Sequence, residues 1–136
     1  MPFLNWSDQY SVGIALFDAE HQRLVTMANE LYDAVLSGTA DETLRPIYLG
    51  LVAYCYRHFA HEEEFFAVAG YPFSEEHKAS HAELRNEVDH FRDHLADTPK
   101  NLLAIEMAKF IKQWVTNHIM VHDRKYGAFL QEKGVH

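Results

Sequence analysis

The stretch Tyr56-Arg57-His58-Phe59-Ala60-His61-Glu62-Glu63-Glu64-Phe65 places a histidine and a carboxylate, His58 and Glu62, four residues apart. On a helix that interval turns both side chains to one face, where an imidazole nitrogen and a carboxylate oxygen can hold one cation. His77 and His81 repeat the interval, a third histidine–acid group spans His118 to Asp123, and His21 stands near the front. Four separate chain segments therefore carry candidate metal ligands. The remaining sequence has to bring them together.

The elements that do so are helices. The first is expected from Asp18, as N-cap, to Ser37 before Gly38, with a stripe of Leu24, Ala28, Leu31 and Val35. Extending that stripe backwards by three reaches His21. The second helix is expected from Thr43, because Pro46 is tolerated in a first turn but not deeper, and ends at Ala69-Gly70. Its seam reads Ile47, Leu51, Tyr54, His58, Glu62, Phe65. The third opens with Ser74 as N-cap and runs to Ala96, its stripe being His77, His81, Leu84, Val88, Phe91 and Leu95. The fourth takes Thr98 as N-cap and Pro99 at its first position, with Leu103, Met107, Phe110, Trp114, His118 and Val121, and continues toward Glu132.

Residues 1–17 alternate like a strand from Val12 to Leu16, but no later segment offers a sheet to join. They are expected as an extended arm packed on the helices and anchored by Trp6. Four amphipathic helices of roughly 20 residues with short connections make an all-α, antiparallel up-down-up-down four-helix bundle. In that arrangement His21 and the His77/His81 pair lie at helix starts, while His58/Glu62 and His118/Asp123 lie toward helix ends. All four groups then meet at one end of the bundle.

A chain of 136 residues with 48% apolar side chains is expected to be one domain with a sizeable core. A formal charge of −8 excludes a nucleic-acid surface as the main function. No apolar run approaches the roughly 20 residues of a membrane span, the first residues do not resemble a signal peptide, and cytoplasm is the expected location. Cys55, the single cysteine, rules out an internal disulfide and reads as a buried, inert thiol. The ten histidines are the compositional oddity. Burying several imidazoles and acids unpaired would cost several kcal/mol each. A metal cluster satisfies both kinds of group at once.

Further pieces complete a pattern: Trp6 with Val12-Gly13-Ile14, Asp18-Ala19-Glu20-His21, His58-Phe59-Ala60-His61-Glu62-Glu63, Gly70-Tyr71-Pro72, His77-Lys78-Ala79-Ser80-His81, and Trp114-Val115-Thr116-Asn117-His118-Ile119 with Asp123 and Tyr126. In order and spacing, over nearly the whole chain, they resemble the hemerythrin family in its single-domain bacterial form, bacteriohemerythrin. The resemblance implies two iron ions, an oxo- or hydroxo-bridged pair cycling between ferrous and ferric. His77, His81 and His118 would hold one iron. His21 and His58 would hold the other and leave one position open, and Glu62 and Asp123 would bridge the two.

Spacing alone favours His122 over Asp123, because five residues place Asp123 about 140° from His118 on an ideal helix. The resemblance selects Asp123, which requires a π-bulge or a break in the last helix. It also implies Tyr126 as a hydrogen-bonding neighbour of the bridging aspartate. His61, Glu63 and Glu64 flank the motif on other faces, solvated or supporting the ligands from behind, and His90, His94 and His136 are expected at the surface.

The implied function is reversible dioxygen binding for transport, storage or delivery, not enzymatic turnover. O2 is bound end-on at the five-coordinate iron as hydroperoxide and passed to an O2-consuming client. An O2 or redox sensor, or a scavenger of nitric oxide, peroxide or iron, would use the same residues, which do not separate these roles. Five imidazoles with two carboxylates make a less electron-rich site than four carboxylates do, and so favour reversible binding. The ferritin-like pattern needs Glu-x-x-His twice, and the chain has it once, from Glu87 to His90.

Overall fold

Apolar residues recurring at steps of three and four fold this chain into helices and leave connections too short for anything else. The computed structural model describes residues 2–136. Met1, where the expected arm begins, lies outside the described residues. Helices α1 (Ala15–Ser37), α2 (Ala40–Ala69) and α3 (Ser74–His94) are followed by a continuous fourth rod. That rod consists of α4 (Lys100–Gln113), a π segment (Trp114–Asp123) and α5 (Arg124–Glu132). The four rods form the expected antiparallel bundle, with α1 packed on α2 and α4, and α2 on α3. No helix among the described residues is long and apolar enough to cross a membrane.

The core is one cluster running the length of the bundle, with Leu24, Leu31, Leu51, Leu103, Met107 and Ile111 at its centre. At about 25 cal/mol per Å² of apolar surface removed from water, such residues supply most of the driving force for assembly. Cys55 belongs to this cluster, and burial pushes its thiol up to about 12, as an inert thiol requires. α1 and α2 stop where Gly38 and Gly70 take left-handed backbone, φ 77° and 70°.

All four rod starts differ from expectation. α1 begins at Ala15, and Asp18 lies within its first turn. The Asp18 carboxylate accepts hydrogen bonds from Ser11 Oγ at 2.6 Å and the Val12 N–H at 2.8 Å, so it fixes the arm and does not cap the helix. α2 begins at Ala40, not Thr43, because buried Ala40 and Leu44 dock the early turn. Pro46 therefore sits in the second turn on an exposed face, where water can reach the Glu42 carbonyl that lacks a helical N–H. Ser74 and Pro99 each fall one position from the places expected of them: Ser74 is the first residue of α3, and Pro99 occupies the cap before α4.

The arm is extended apart from one 3-10 turn at Asp8–Tyr10. Trp6, its expected anchor, is only half-buried. Leu4, Val12 and Ile14 are buried instead, and Leu4 exchanges two 2.8 Å hydrogen bonds with the Asn29 side-chain amide on α1. Gln131 of α5 donates to the Gly13 carbonyl at 3.1 Å. The crossing over α5 is close: a methyl group on Gly127 would fall on the Val12 carbonyl oxygen. This clamp seats the arm beside the site-bearing end of the bundle.

Candidate metal centre

α1 contributes His21, α2 contributes His58 and Glu62, α3 contributes His77 and His81, and the π segment contributes His118 and Asp123. All seven are buried at one end of the bundle, at 6% exposure or less. They fall into two groups: His77, His81, His118 and Asp123, and His21, His58, Glu62 and Asp123. Within each group the candidate ligand atoms lie within 4.8 Å of one another.

The two carboxylates divide between the groups. Glu62 Oε1 lies 3.0 Å from His81 Nε2, and its Oε2 lies 3.3 Å from His58 Nε2. Asp123 Oδ1 lies 2.9 Å from His77 Nε2 and 3.0 Å from His118 Nε2, and its Oδ2 lies 3.3 Å from His21 Nε2. His21 and His58 bring their Nε2 atoms to 3.0 Å from each other. Two neutral imidazoles so placed need either a shared proton or a cation.

The π segment makes this possible. Along it the amide of Arg124 donates to the Ile119 carbonyl, five residues back, and the wider turn carries His118 and Asp123 to one face. The same widening turns Val121 out to 63% exposure and leaves His122 exposed, so neither joins the inward stripe. Of the two candidates one turn beyond His118, the structure brings Asp123 to the cluster and not His122.

Carboxylates behind the imidazoles hold them in place. Glu20 receives His58 Nδ1 on one oxygen and His61 Nδ1 on the other, both at 2.9 Å. Glu63 pairs with His81 Nδ1 at 3.0 Å. The contacts to His58 and His81 assign the Nδ1 proton outward and aim Nε2 at the centre. Tyr126 donates its hydroxyl to Glu62 Oε2, whereas the resemblance pointed to the aspartate. Phe59 stacks on His81 at 3.9 Å between centroids, and Tyr54 stacks on His58 at 4.9 Å. Phe17, Phe66 and Trp114 close the remaining sides.

Glu20 is the supporting residue that sequence reading assigned no role. Its signal is adjacency to His21, since the residue beside an inward ligand faces the neighbouring helix. Glu63 carries the same signal next to Glu62. His90 and His94 lie away from the cluster, edge to face with each other at 4.5 Å between centroids.

Electrostatics shows what the site lacks when only protein surrounds it. Burial opposes charge on His58, but the Glu62 charge and hydrogen bonds to Glu20 and Glu62 push it up to about 10. Burial likewise opposes charge on His77, and the Asp123 and Glu62 carboxylates beside it raise it to about 9. Burial would raise Glu62 and Asp123, yet the surrounding imidazoles hold both well below the usual carboxylate range. Protons on imidazole here do the work of cations.

Even so, Glu62 Oε1, both Asp123 oxygens and the Nε2 atoms of His77, His81 and His118 have no hydrogen-bond partner. Leaving such groups buried costs about 1–3 kcal/mol each. Metal ions would remove that cost, and imidazole with carboxylate suits iron. The residues fit the group.

A helical bundle that brings histidines and carboxylates from four rods within 4.8 Å of one another in two groups defines a metal-binding bundle protein. Residues 12–130 match the family described as "Hemerythrin HHE cation binding domain". The chain belongs to the hemerythrin family, whose members bind dioxygen at non-haem iron. It is 32% identical over 129 residues to a bacteriohemerythrin of Stenotrophomonas maltophilia, covering 93% of this chain and 80% of that protein. It is 29% identical over 124 residues to one of Clostridium acetobutylicum, with 89% and 96% covered. The crystal structure of wild-type hemerythrin superposes with a TM-score of 0.81 at 25% identity, covering 94% of this chain and 98% of that one.

Proposed function

We propose that the chain binds dioxygen reversibly at two irons. His77, His81 and His118 would hold one, His21 and His58 the other, and Glu62 and Asp123 would bridge them with an oxo or hydroxo group as third bridge. One observation carries this reading: each carboxylate directs one oxygen to each histidine group. A single cation uses one such oxygen, whereas a pair uses both. The iron pair, when bound, supplies the electrons and the open coordination position for end-on uptake of O2.

The protein's own part is orientation and exclusion. Glu20 and Glu63 fix the His58 and His81 rings through Nδ1, and Tyr126 fixes the plane of the Glu62 carboxylate. The aromatic wall of Phe17, Phe59, Phe66 and Trp114 keeps water away while admitting a small apolar gas. Residues 1–136 act as one domain, with O2 as ligand, an O2-consuming client protein as partner and the cytoplasm as location. The charge of −8 supports a role without nucleic acid, and the ligand set supports binding without catalytic turnover.

The test is elemental analysis followed by anaerobic titration of the reduced protein with O2, read optically over several cycles. Two irons per chain and a reversible spectrum are expected. One metal per chain, or zinc alone after growth in iron-rich medium, sinks the dinuclear reading. Irreversible oxidation in the first cycle favours sensing or scavenging.

A further inference from the structure

Two openings in the surface reach residues of the cluster, and their charges are opposite. Between α1 and α2 a groove of about 400 Å³ ends at Tyr54 and His58 and sets Arg23 and Arg57 against the single carboxylate of Glu20. Between α3 and the fourth rod lies a cleft of about 280 Å³ lined by Ser80, Glu83, Glu87, Asn117, His118 and His122, among others. The Lys and Arg ion pairs among the described residues are Lys78–Glu75 and Arg92–Asp93, so Glu83 and Glu87 have no cationic partner.

The acidic cleft reaches a member of the cluster. His118 lines it and is 6% exposed, while its Nε2 is buried and lies 3.0 Å from Asp123 Oδ1 within the cluster. His77, whose ring centroid is 5.0 Å from that of His118, is 4% exposed, whereas His21, His58 and His81 are at 0%, 1% and 0%. His118, the most exposed of the five clustered histidines, is therefore the one that borders the cleft where Glu83 and Glu87 stand.

We propose that the Glu83–Glu87 cleft is the port through which a divalent cation is drawn into the ligand cluster. Glu83 and Glu87 are four residues apart on α3 and face the same way, opposite Asn117 and His122. A hydrated cation exchanges part of its water shell for these oxygens and the His122 nitrogen. It then passes to His118 and His77, where Asp123 Oδ1 already lies between the two rings. The other groove, with two arginines against one glutamate, disfavours the same cation. This inference rests on reading the seven buried residues as a metal centre.

The experiment mixes metal-free full-length protein with Co2+ in a stopped-flow instrument and follows the d–d absorption at low and high ionic strength. Glu83→Gln/Glu87→Gln is expected to slow second-order loading about tenfold at low salt, to lose most of the salt dependence, and to reach the unchanged final stoichiometry. Arg57→Gln should load at least as fast as the parent. A double variant that loads at the parental rate with the parental salt dependence overturns the port. A double variant that binds fewer cobalt ions also overturns it, since the glutamates would then be ligands. Failure of the parent chain itself to bind cobalt rejects the metal centre instead, so the two ideas fail separately.

Discussion

His118 and Asp123 are five residues apart in sequence, yet His118 Nε2 lies 3.0 Å from Asp123 Oδ1. An α-helix would separate them by about 140° around its axis. The π segment from Trp114 to Asp123 closes that angle, and both side chains are buried in the cluster. Backbone hydrogen bonding here has been given over to ligand geometry. π-turns are rare and recur at functional sites for this reason.

The two side chains at the end of that segment should therefore behave oppositely. Asp123→Ala is expected to lose one of two irons together with the oxo-bridge absorption, because no other group reaches both histidine sets from this rod. His122→Ala, at an exposed position, should keep full iron content and change stability by no more than about 0.5 kcal/mol. Iron analysis and absorption spectra of the two variants decide it. The reverse pattern would restore the α-helical reading of the segment.

Metal loading should release protons. In the metal-free chain His58 is raised to about 10 and His77 to about 9, so both are protonated at pH 7. Their Nε2 atoms can bind a cation only as neutral imidazole, so at least these two protons must leave. Affinity should then rise with pH until these groups deprotonate unaided, near pH 9–10.

Stability of the metal-free protein follows the same linkage. A raised imidazole contributes fully below its unfolded value of about 6.5, and that contribution is lost as pH rises through the folded value. The depressed Glu62 and Asp123 contribute above the ordinary carboxylate range, and their share is lost as pH falls. Calorimetry of metal binding in two buffers of different ionisation enthalpy counts the protons. Equal heats in both would refute their release.

The ligands were legible in the sequence because imidazoles and acids interrupt apolar stripes whose period already fixes which way they face. His21, His58, Glu62, His77 and His81 follow from intervals of three and four on regular helix. Asp123 does not, because its placement depends on a backbone irregularity that no local propensity of Trp114–Asp123 announces. It rests on the resemblance. Glu20 and Glu63 were harder for another reason. They sit beside the inward stripe, where α1 meets α2 and α2 meets α3, and their roles appear only once the helices are docked. The start of α2 was misplaced because burial of Ala40 and Leu44 outweighs the local preference of Pro46.

Glu20 holds two imidazoles with one carboxylate, so its removal should be felt beyond one hydrogen bond. Glu20→Gln keeps the size of the side chain, but only its carbonyl oxygen can still accept, so one of the His58 and His61 contacts is lost. Metal affinity, measured by competition with a chelator, is expected to fall about 10–100-fold with the helical content intact. Unchanged affinity would mean that packing against Phe17 and Tyr54 alone orients the His58 ring.

Two glycines should respond to the same substitution with opposite signs. Gly127 lies in α5 under the N-terminal arm, and a Cβ there would fall on the Val12 carbonyl oxygen and crowd its Cβ. Backbone cannot yield as a flexible side chain does, so Gly127→Ala must lift the arm from the helix. The cost expected for such overpacking is about 1–3 kcal/mol. Gly50 lies mid-helix in α2 with nothing within 4 Å of an added Cβ. Gly50→Ala should therefore stabilise the protein by about 0.5–1 kcal/mol, by restricting the unfolded chain. Urea denaturation of both variants at equal metal loading measures the difference. A neutral Gly127→Ala would show that the arm is held by the Leu4–Asn29 and Val12–Asp18 hydrogen bonds without close seating on α5.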